Sequence, residues 1–150
     1  MIILVDSREG LPLDFQHEFI TGIKVQKLEV GDYCCLYQDG SIPNTIFERK
    51  SLGDLFGTMG QGYNRFKKEI IRAKELNIKL ILIIEASLTK ILKGYEPSQL
   101  KGFSVVKKLF TLFIRYNLLP VFCKDREEMS IYITEFYLAL GRNINWKKKI

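Results

Sequence analysis

Short apolar runs alternate with stretches of helical spacing along this chain. Ile2-Ile3-Leu4-Val5 reads as a buried strand ending in the polar segment Asp6-Ser7-Arg8-Glu9-Gly10. Gly10 and Pro12 break the backbone, and Leu13 to Ile20 is predicted as a short helix. Ile23, Val25 and Leu28 mark a second strand that reaches Val30-Gly31-Asp32. Tyr33 to Gln38 is a third strand and Asn44 to Lys50 a fourth, with the hairpin signal Asp39-Gly40 between them. Ser51 with Asp54 at the third helical position is an N-cap with a short-armed capping box, opening a helix to about Phe56. Gly57, Gly60 and Gly62 then crowd one region. Each costs about 1 kcal/mol inside a helix, so a bend precedes a second helix from about Tyr63 to Leu76.

Lys79 to Glu85 is nearly continuous in Leu and Ile, as expected of a central strand covered on both faces. Ser87 caps a short helix from Leu88 to Lys93, and Pro97 opens a long one to about Tyr116. The apolar surface of that helix is wider than one core-facing stripe, which fits either deep burial or self-association. Pro120 to Cys123 is the last strand. Asp125 and Glu128 start a helix from Arg126 to Leu140 that Gly141 closes. The tail Trp146-Lys147-Lys148-Lys149-Ile150 reads as a solvated end or a basic arm. Strands alternating with helices, with a hairpin early on, predict an α/β domain: a mixed central sheet flanked by helices.

Composition narrows the class. The chain has 150 residues, which suggests one domain long enough to bury a core without staples. A formal charge of +6 makes a polyanion a plausible partner. Three cysteines, two of them adjacent, form no disulfide framework and suggest a reducing, cytoplasmic setting. None has zinc-ligand spacing. The run Leu80 to Ile84 is too short to cross a bilayer, and the N-terminus lacks a signal-peptide pattern.

The chemistry concentrates at Phe47-Glu48-Arg49-Lys50-Ser51-Leu52-Gly53-Asp54. Side chains two apart on a strand share a face, about 6.6 Å from each other. Glu48 and Lys50 therefore point one way and Arg49 the other. A carboxylate beside an ammonium at a strand end can hold a divalent cation and steer a water onto phosphate. The Asp39-Gly40 hairpin folds the strand starting at Asp32 back on the strand carrying Glu48 and Lys50, so all three meet at one end. The alternative for these three is a surface salt-bridge cluster.

Val5-Asp6-Ser7-Arg8-Glu9, Gly31-Asp32, Glu48-Arg49-Lys50 with Asp54 four beyond the lysine, Arg65-Phe66 and Ile83-Ile84-Glu85 together resemble the nuclease domain of the XPF/Mus81/Hef structure-specific endonucleases. Their pattern is GD…ERKxxxD, on a restriction-endonuclease-like PD-(D/E)xK fold. The motifs span residues 2 to 86, and the element order extends to about 140. The resemblance implies that Asp32 and Glu48 bind Mg²⁺ or Mn²⁺ and that Lys50 orients the attacking water. Arg49 and Asp54 would complete the site, and Arg8 and Arg65, with Lys67 and Lys68 beside the latter, would hold phosphates. It also implies branched, flapped or forked DNA as substrate and a homodimer through the C-terminal helices.

The sequence departs from that pattern in several places. The chain ends before a helix-hairpin-helix module and has no P-loop helicase, which raises a separate DNA-binding subunit as a partner. Gly62 and Arg65 are separated by Tyr63-Asn64, and Glu69 stands where the family commonly has Gln. Bland readings stand beside the functional ones. Asp54 caps its helix; Asp6 and Glu9 are loop acids paired with Arg8; Lys67, Lys68 and Lys74 form a wet helix face. His17 and Ser7 lack any triad or nucleophile-elbow context. Three functions follow: a metal-dependent DNA endonuclease, a non-cutting DNA-binding or dimerisation module, or a restriction-type or junction-resolving nuclease on the same fold.

Overall fold

The sheet grows outward from β5 (Lys79–Glu85), whose Leu80 to Ile84 are all buried. In the computed structural model, which describes residues 1–144, β4 (Thr45–Ser51) and β6 (Leu119–Cys123) flank β5 in parallel. Beyond β4 the direction reverses. β3 (Tyr33–Leu36) runs antiparallel to β4 and to β1 (Ile2–Asp6), and β2 (Gly22–Gln26) lies parallel to β1 at the edge. The order is β2-β1-β3-β4-β5-β6, the mixed sheet that the pattern predicts.

Strand alternation divides the core between the two faces. Leu4, Cys34, Ile46, Leu82 and Ile84 pack under α1 (Leu52–Met59), α2 (Tyr63–Glu75), α3 (Leu88–Lys93) and α4 (Gly102–Tyr116). Ile3, Val5, Tyr33, Phe47, Ile81 and Ile83 pack under α5 (Arg126–Asn143) and the segment carrying Leu13 and Phe15. Tyr137 on α5 anchors the second layer. Its hydroxyl contacts the carbonyls of Thr45 at 2.8 Å and Tyr33 at 3.1 Å, tying helix to hairpin. The three cysteines are buried free thiols. Among the described residues no helix is long and apolar enough to cross a membrane.

Several boundaries differ from expectation, each for a visible reason. Residues 13–20 are not helical. Leu13 and Phe15 alternate into the core, the Leu13 amide donates to the Tyr33 hydroxyl at 2.9 Å, and Arg126 donates to the Leu11 and Pro12 carbonyls. Side chains thus supply the partners that helical carbonyls would have supplied. The second strand stops at Gln26 instead of running to Asp32, because Asp6 and Arg8 grip the backbone of Leu28 and draw it off the sheet.

Helix α4 begins at Gly102, not Pro97. A Cβ at position 102 would lie 2.1 Å from the Ile91 carbonyl, so glycine marks where α4 crosses the α3 backbone. Gly141 does not end α5, which continues to Asn143. A Cβ there would lie 2.9 Å from the Tyr37 ring, so the missing side chain admits Tyr37, whose hydroxyl donates to the Tyr137 carbonyl. The N-caps stand as expected: Ser51, Ser87 and Asp125 accept from the amides of Asp54, Lys90 and Glu128. The expected basic tail at 146–150 lies outside the described residues.

Candidate active site

Gly31-Asp32 is fixed by backbone geometry that few residue types could adopt. Gly31 has φ +76°, and a Cβ there would lie 2.5 Å from Ile46 Cγ2 and 3.1 Å from the Phe47 carbonyl. Only glycine fits this left-handed, close-packed position. Asp32 is then held three ways. Its amide donates to the Phe47 carbonyl at 2.8 Å, its carbonyl accepts from the Asp6 amide at 2.8 Å, and its Oδ2 accepts from the Arg49 amide at 2.8 Å. These contacts join β1, β3 and β4 at one end of the sheet.

From β4, Glu48 and Lys50 project onto the face of α1 and α2, as their two-residue spacing predicts. Lys50 Nζ lies 3.3 Å from Glu48 Oε1 and 5.4 Å from the centre of the Phe66 ring. Asp32 and Glu48 line one hollow of about 220 Å³ together with Asp6, Arg8, Glu69 and Arg72. Lys50, Asp54 and Arg65 line a neighbouring hollow of about 360 Å³, and Glu69 stands in the wall of both. The structure thus brings Asp32, Glu48 and Lys50 to one place, with Arg8 on one side and Asp54 and Arg65 on the other.

The electrostatics of the pair are unusual. Burial pushes the Glu48 carboxyl up to about 7, and the neighbouring Asp32 charge pushes in the same direction. Burial raises Asp32 to about 6 against the pull of the Arg49 amide. Two carboxylates that resist ionising beside each other are relieved by a shared cation. Mg²⁺ and Mn²⁺ are hard ions that take carboxylate oxygens and keep several waters. The donor set Asp32 and Glu48 fits such an ion. Among the described residues no group of three or more His, Cys, Asp or Glu side chains converges as a fuller cage.

The remaining expected residues divide by position. Arg49 points away from both hollows. Its guanidinium meets Glu9 in two 2.9 Å contacts, with the side chains only 11% and 7% exposed. Only its amide serves the cleft, by holding Asp32. This corrects the pairing of Glu9 with Arg8. Arg8 pairs with Asp6 alone, at 2.8 Å, and also reaches the Leu28 carbonyl. Burial would raise Asp6, but the Arg8 guanidinium and the Leu28 and Arg8 amides outweigh it and hold the carboxyl below its usual range. Asp6 is therefore a hinge pin for the loop, while the Arg8 side chain stays 59% exposed at the rim of the cleft.

Asp54 receives its cap through its amide, and its carboxylate is left lining the Lys50 hollow. Lys67 lines neither hollow. Its ammonium sits 5.0 Å from the Tyr63 ring, which Lys108 also approaches at 4.8 Å. Lys68 is exposed and lines neither hollow. His17 lies 3.4 Å from Glu135, far from this chemistry in the fold. Sequence reasoning missed Glu29 and Arg72, paired at 2.9 Å and lining the Asp32–Glu48 hollow. A signal existed for one of them: Arg65, Glu69 and Arg72 fall at i, i+4 and i+7 of one helix face.

The ERCC4 domain model matches residues 5–136. No curated protein matches the chain. Among solved structures, XPF from Aeropyrum pernix aligns at TM-score 0.67 and 17% identity, over 99% of this chain and 69% of that one. The same protein in complex with DNA aligns at TM-score 0.67 and 15% identity, over 94% of this chain and 65% of that one. At such identities the structural likeness speaks for the fold. Together with a family model covering most of the sequence, it shows that the chain belongs to the ERCC4 domain family and has the fold of an XPF-type nuclease domain.

Proposed function

We propose that this domain is a Mg²⁺- or Mn²⁺-dependent DNA endonuclease, acting on branched, flapped or forked DNA. The observation that carries the proposal is the sharing of one hollow by Asp32 and Glu48, both resisting ionisation, with Lys50 3.3 Å from Glu48. When bound, the divalent ion supplies charge neutralisation and an activated water for phosphodiester hydrolysis. The chain's own residues do the rest. Asp32 and Glu48 would hold the ion, with Asp32 aimed by the Arg49 amide. Lys50, in the neighbouring hollow and 3.3 Å from Glu48, would donate to the water or to a phosphate oxygen as charge builds there. Arg8 and Arg65, both exposed at the edges of the two hollows, take phosphates in the planar fork suited to them. The Aeropyrum pernix relative described with DNA supports a nucleic-acid substrate.

A homodimer through the C-terminal helices belongs to the same proposal. Phe103, Phe110 and Ile114, 66%, 45% and 79% exposed, form an i, i+7, i+11 stripe on α4, and Ile131 on α5 is 55% exposed. An apolar stripe of that kind is what a second copy would cover.

The test is cleavage of duplex, flap, fork and four-way-junction DNA with Mg²⁺ or Mn²⁺ by wild type, Asp32→Ala, Glu48→Ala and Lys50→Ala. Wild type is expected to cut a branched substrate in preference to plain duplex, and each variant to lose cutting. Undiminished cutting by Asp32→Ala or Glu48→Ala removes the assignment. Wild type that binds DNA but nicks none of these substrates identifies a binding module instead.

A further inference from the structure

Helix α2 is rich in cations, and the structure sorts them by direction. Lys67 and Lys74 rest on the rings of Tyr63 and Tyr116, away from the cleft. Arg65, Glu69 and Arg72 turn toward it: Arg65 and Glu69 line the Lys50 hollow, and Glu69 and Arg72 line the hollow of Asp32 and Glu48. Seven residues separate the two arginines, about 10 Å along the helix. One guanidinium therefore lines the hollow of the acidic pair and the other the neighbouring hollow.

Arg72 is held across that hollow. Its Nη2 lies 2.9 Å from Oε2 of Glu29, on the segment leading into Gly31-Asp32, so the ion pair links the two walls between which Asp32 and Glu48 sit. Both side chains are largely exposed, 59% and 67%. An exposed pair of this kind contributes little to stability. Its charges matter more for what enters the cleft. Pairing with Arg72 compensates the Glu29 carboxylate at that wall. When Arg72 changes partner, its fork is already beside the place where a phosphate would sit.

Resting on the nuclease reading above, we propose that Arg72 binds a backbone phosphate of DNA at the hollow of Asp32 and Glu48, beside the one that Arg65 lines. Glu29 is the internal partner that this phosphate displaces. Glu29 thereby sets how readily the cleft admits a strand, and the pair acts as a latch.

The full chain is titrated with a fluorescent duplex bearing a single-stranded flap, with Ca²⁺ in place of Mg²⁺ or Mn²⁺, between 50 and 200 mM salt. Arg72→Ala is expected to weaken binding several-fold. It should also flatten the plot of log affinity against log salt by about 0.7–0.9, the share of one phosphate contact. Its melting temperature should stay close to wild type, so that the weaker binding is not a consequence of unfolding. Glu29→Gln is expected to tighten binding by up to about fivefold, the upper range for an exposed pair. That gain should vanish in the Glu29→Gln/Arg72→Ala double variant. An unchanged salt slope for Arg72→Ala, or a Glu29→Gln gain that persists without Arg72, overturns this inference alone. Failure of wild type to bind DNA at all overturns the nuclease reading and this inference with it.

Discussion

Replacing Glu48 by Gln should stabilise the metal-free domain at alkaline pH, although it removes a residue at the centre of the proposed site. The Glu48 carboxyl is raised from 4.5 to about 7, by burial first and by the Asp32 charge second. Each pH unit of such a rise corresponds to about 1.4 kcal/mol, so keeping this carboxylate ionised at pH 8 costs the fold about 3 kcal/mol. Glutamine keeps the shape and removes the charge; the Lys50 contact already holds the Glu48 value down, so nothing further is subtracted for it. The gain is about 3 kcal/mol. For a domain of this length that is about 6–12 °C in Tm.

The sign follows from the direction of the rise. A group whose folded value lies above its unfolded one adds stability that is full below the unfolded value and lost as pH climbs through the folded value. Wild type without metal should therefore lose ground to Glu48→Gln between pH 4.5 and about 7, and the two should melt together at pH 4. The assay is thermal unfolding by circular dichroism at pH 4, 6 and 8 in chelator, repeated at pH 8 with Mg²⁺ or Mn²⁺. An ion that binds only the folded state at a hundred times its Kd adds about 2.7 kcal/mol. Wild type should recover by that mechanism and Glu48→Gln should not. A Glu48→Gln domain less stable than wild type at pH 8 in chelator, or equal metal shifts in both proteins, refutes the reasoning.

Three further outcomes are expected. Gly31→Ala places a Cβ 2.5 Å from Ile46 Cγ2 at a positive φ, and should cost about 3 kcal/mol in urea unfolding; a loss well under 1 kcal/mol contradicts the close approach. Glu9→Leu strands the Arg49 guanidinium and should destabilise by about 3 kcal/mol, while Glu9→Leu/Arg49→Met should regain most of that; additive losses in the cycle of Glu9→Leu, Arg49→Met and the double variant speak against the pair. Phe110→Glu/Ile114→Glu should sediment as a monomer at concentrations where wild type is a dimer; identical sedimentation of the two proteins rejects α4 as the contact.

How much of this was legible beforehand depended on the range of the interaction. Periodicity carries local information, and β5, α3 and the caps at Ser51, Ser87 and Asp125 fall where it places them. The two-residue alternation also predicts that Glu48 and Lys50 share a face and Arg49 leaves it. What one strand cannot predict is its partner's contribution. The Glu9–Arg49 pair spans forty residues, and the loop from Asp6 to Glu9 carries four charged or polar side chains that satisfy any nearby assignment on paper. Only the placement of β1 and β4 on either side of β3 chooses between Arg8 and Arg49 as the partner of Glu9. The same limit explains the failed helix at 13–20, whose amide at Leu13 is satisfied by a tyrosine twenty residues away.

The glycines show the limit from the other side. Gly141 reads locally as a helix breaker yet lies inside α5, and Gly102 starts α4 in place of the expected Pro97, because each admits a neighbour that no local rule contains. Gly31 is the case where local and distant demands coincide. Its positive φ is a local turn requirement, and the Ile46 methyl that a Cβ there would meet at 2.5 Å is a packing requirement. Both must hold for the Asp32 carboxylate to reach the Arg49 amide and stand beside Glu48. The dipeptide Gly31-Asp32 is therefore informative in the sequence because one residue supplies the backbone geometry that the other's chemistry needs.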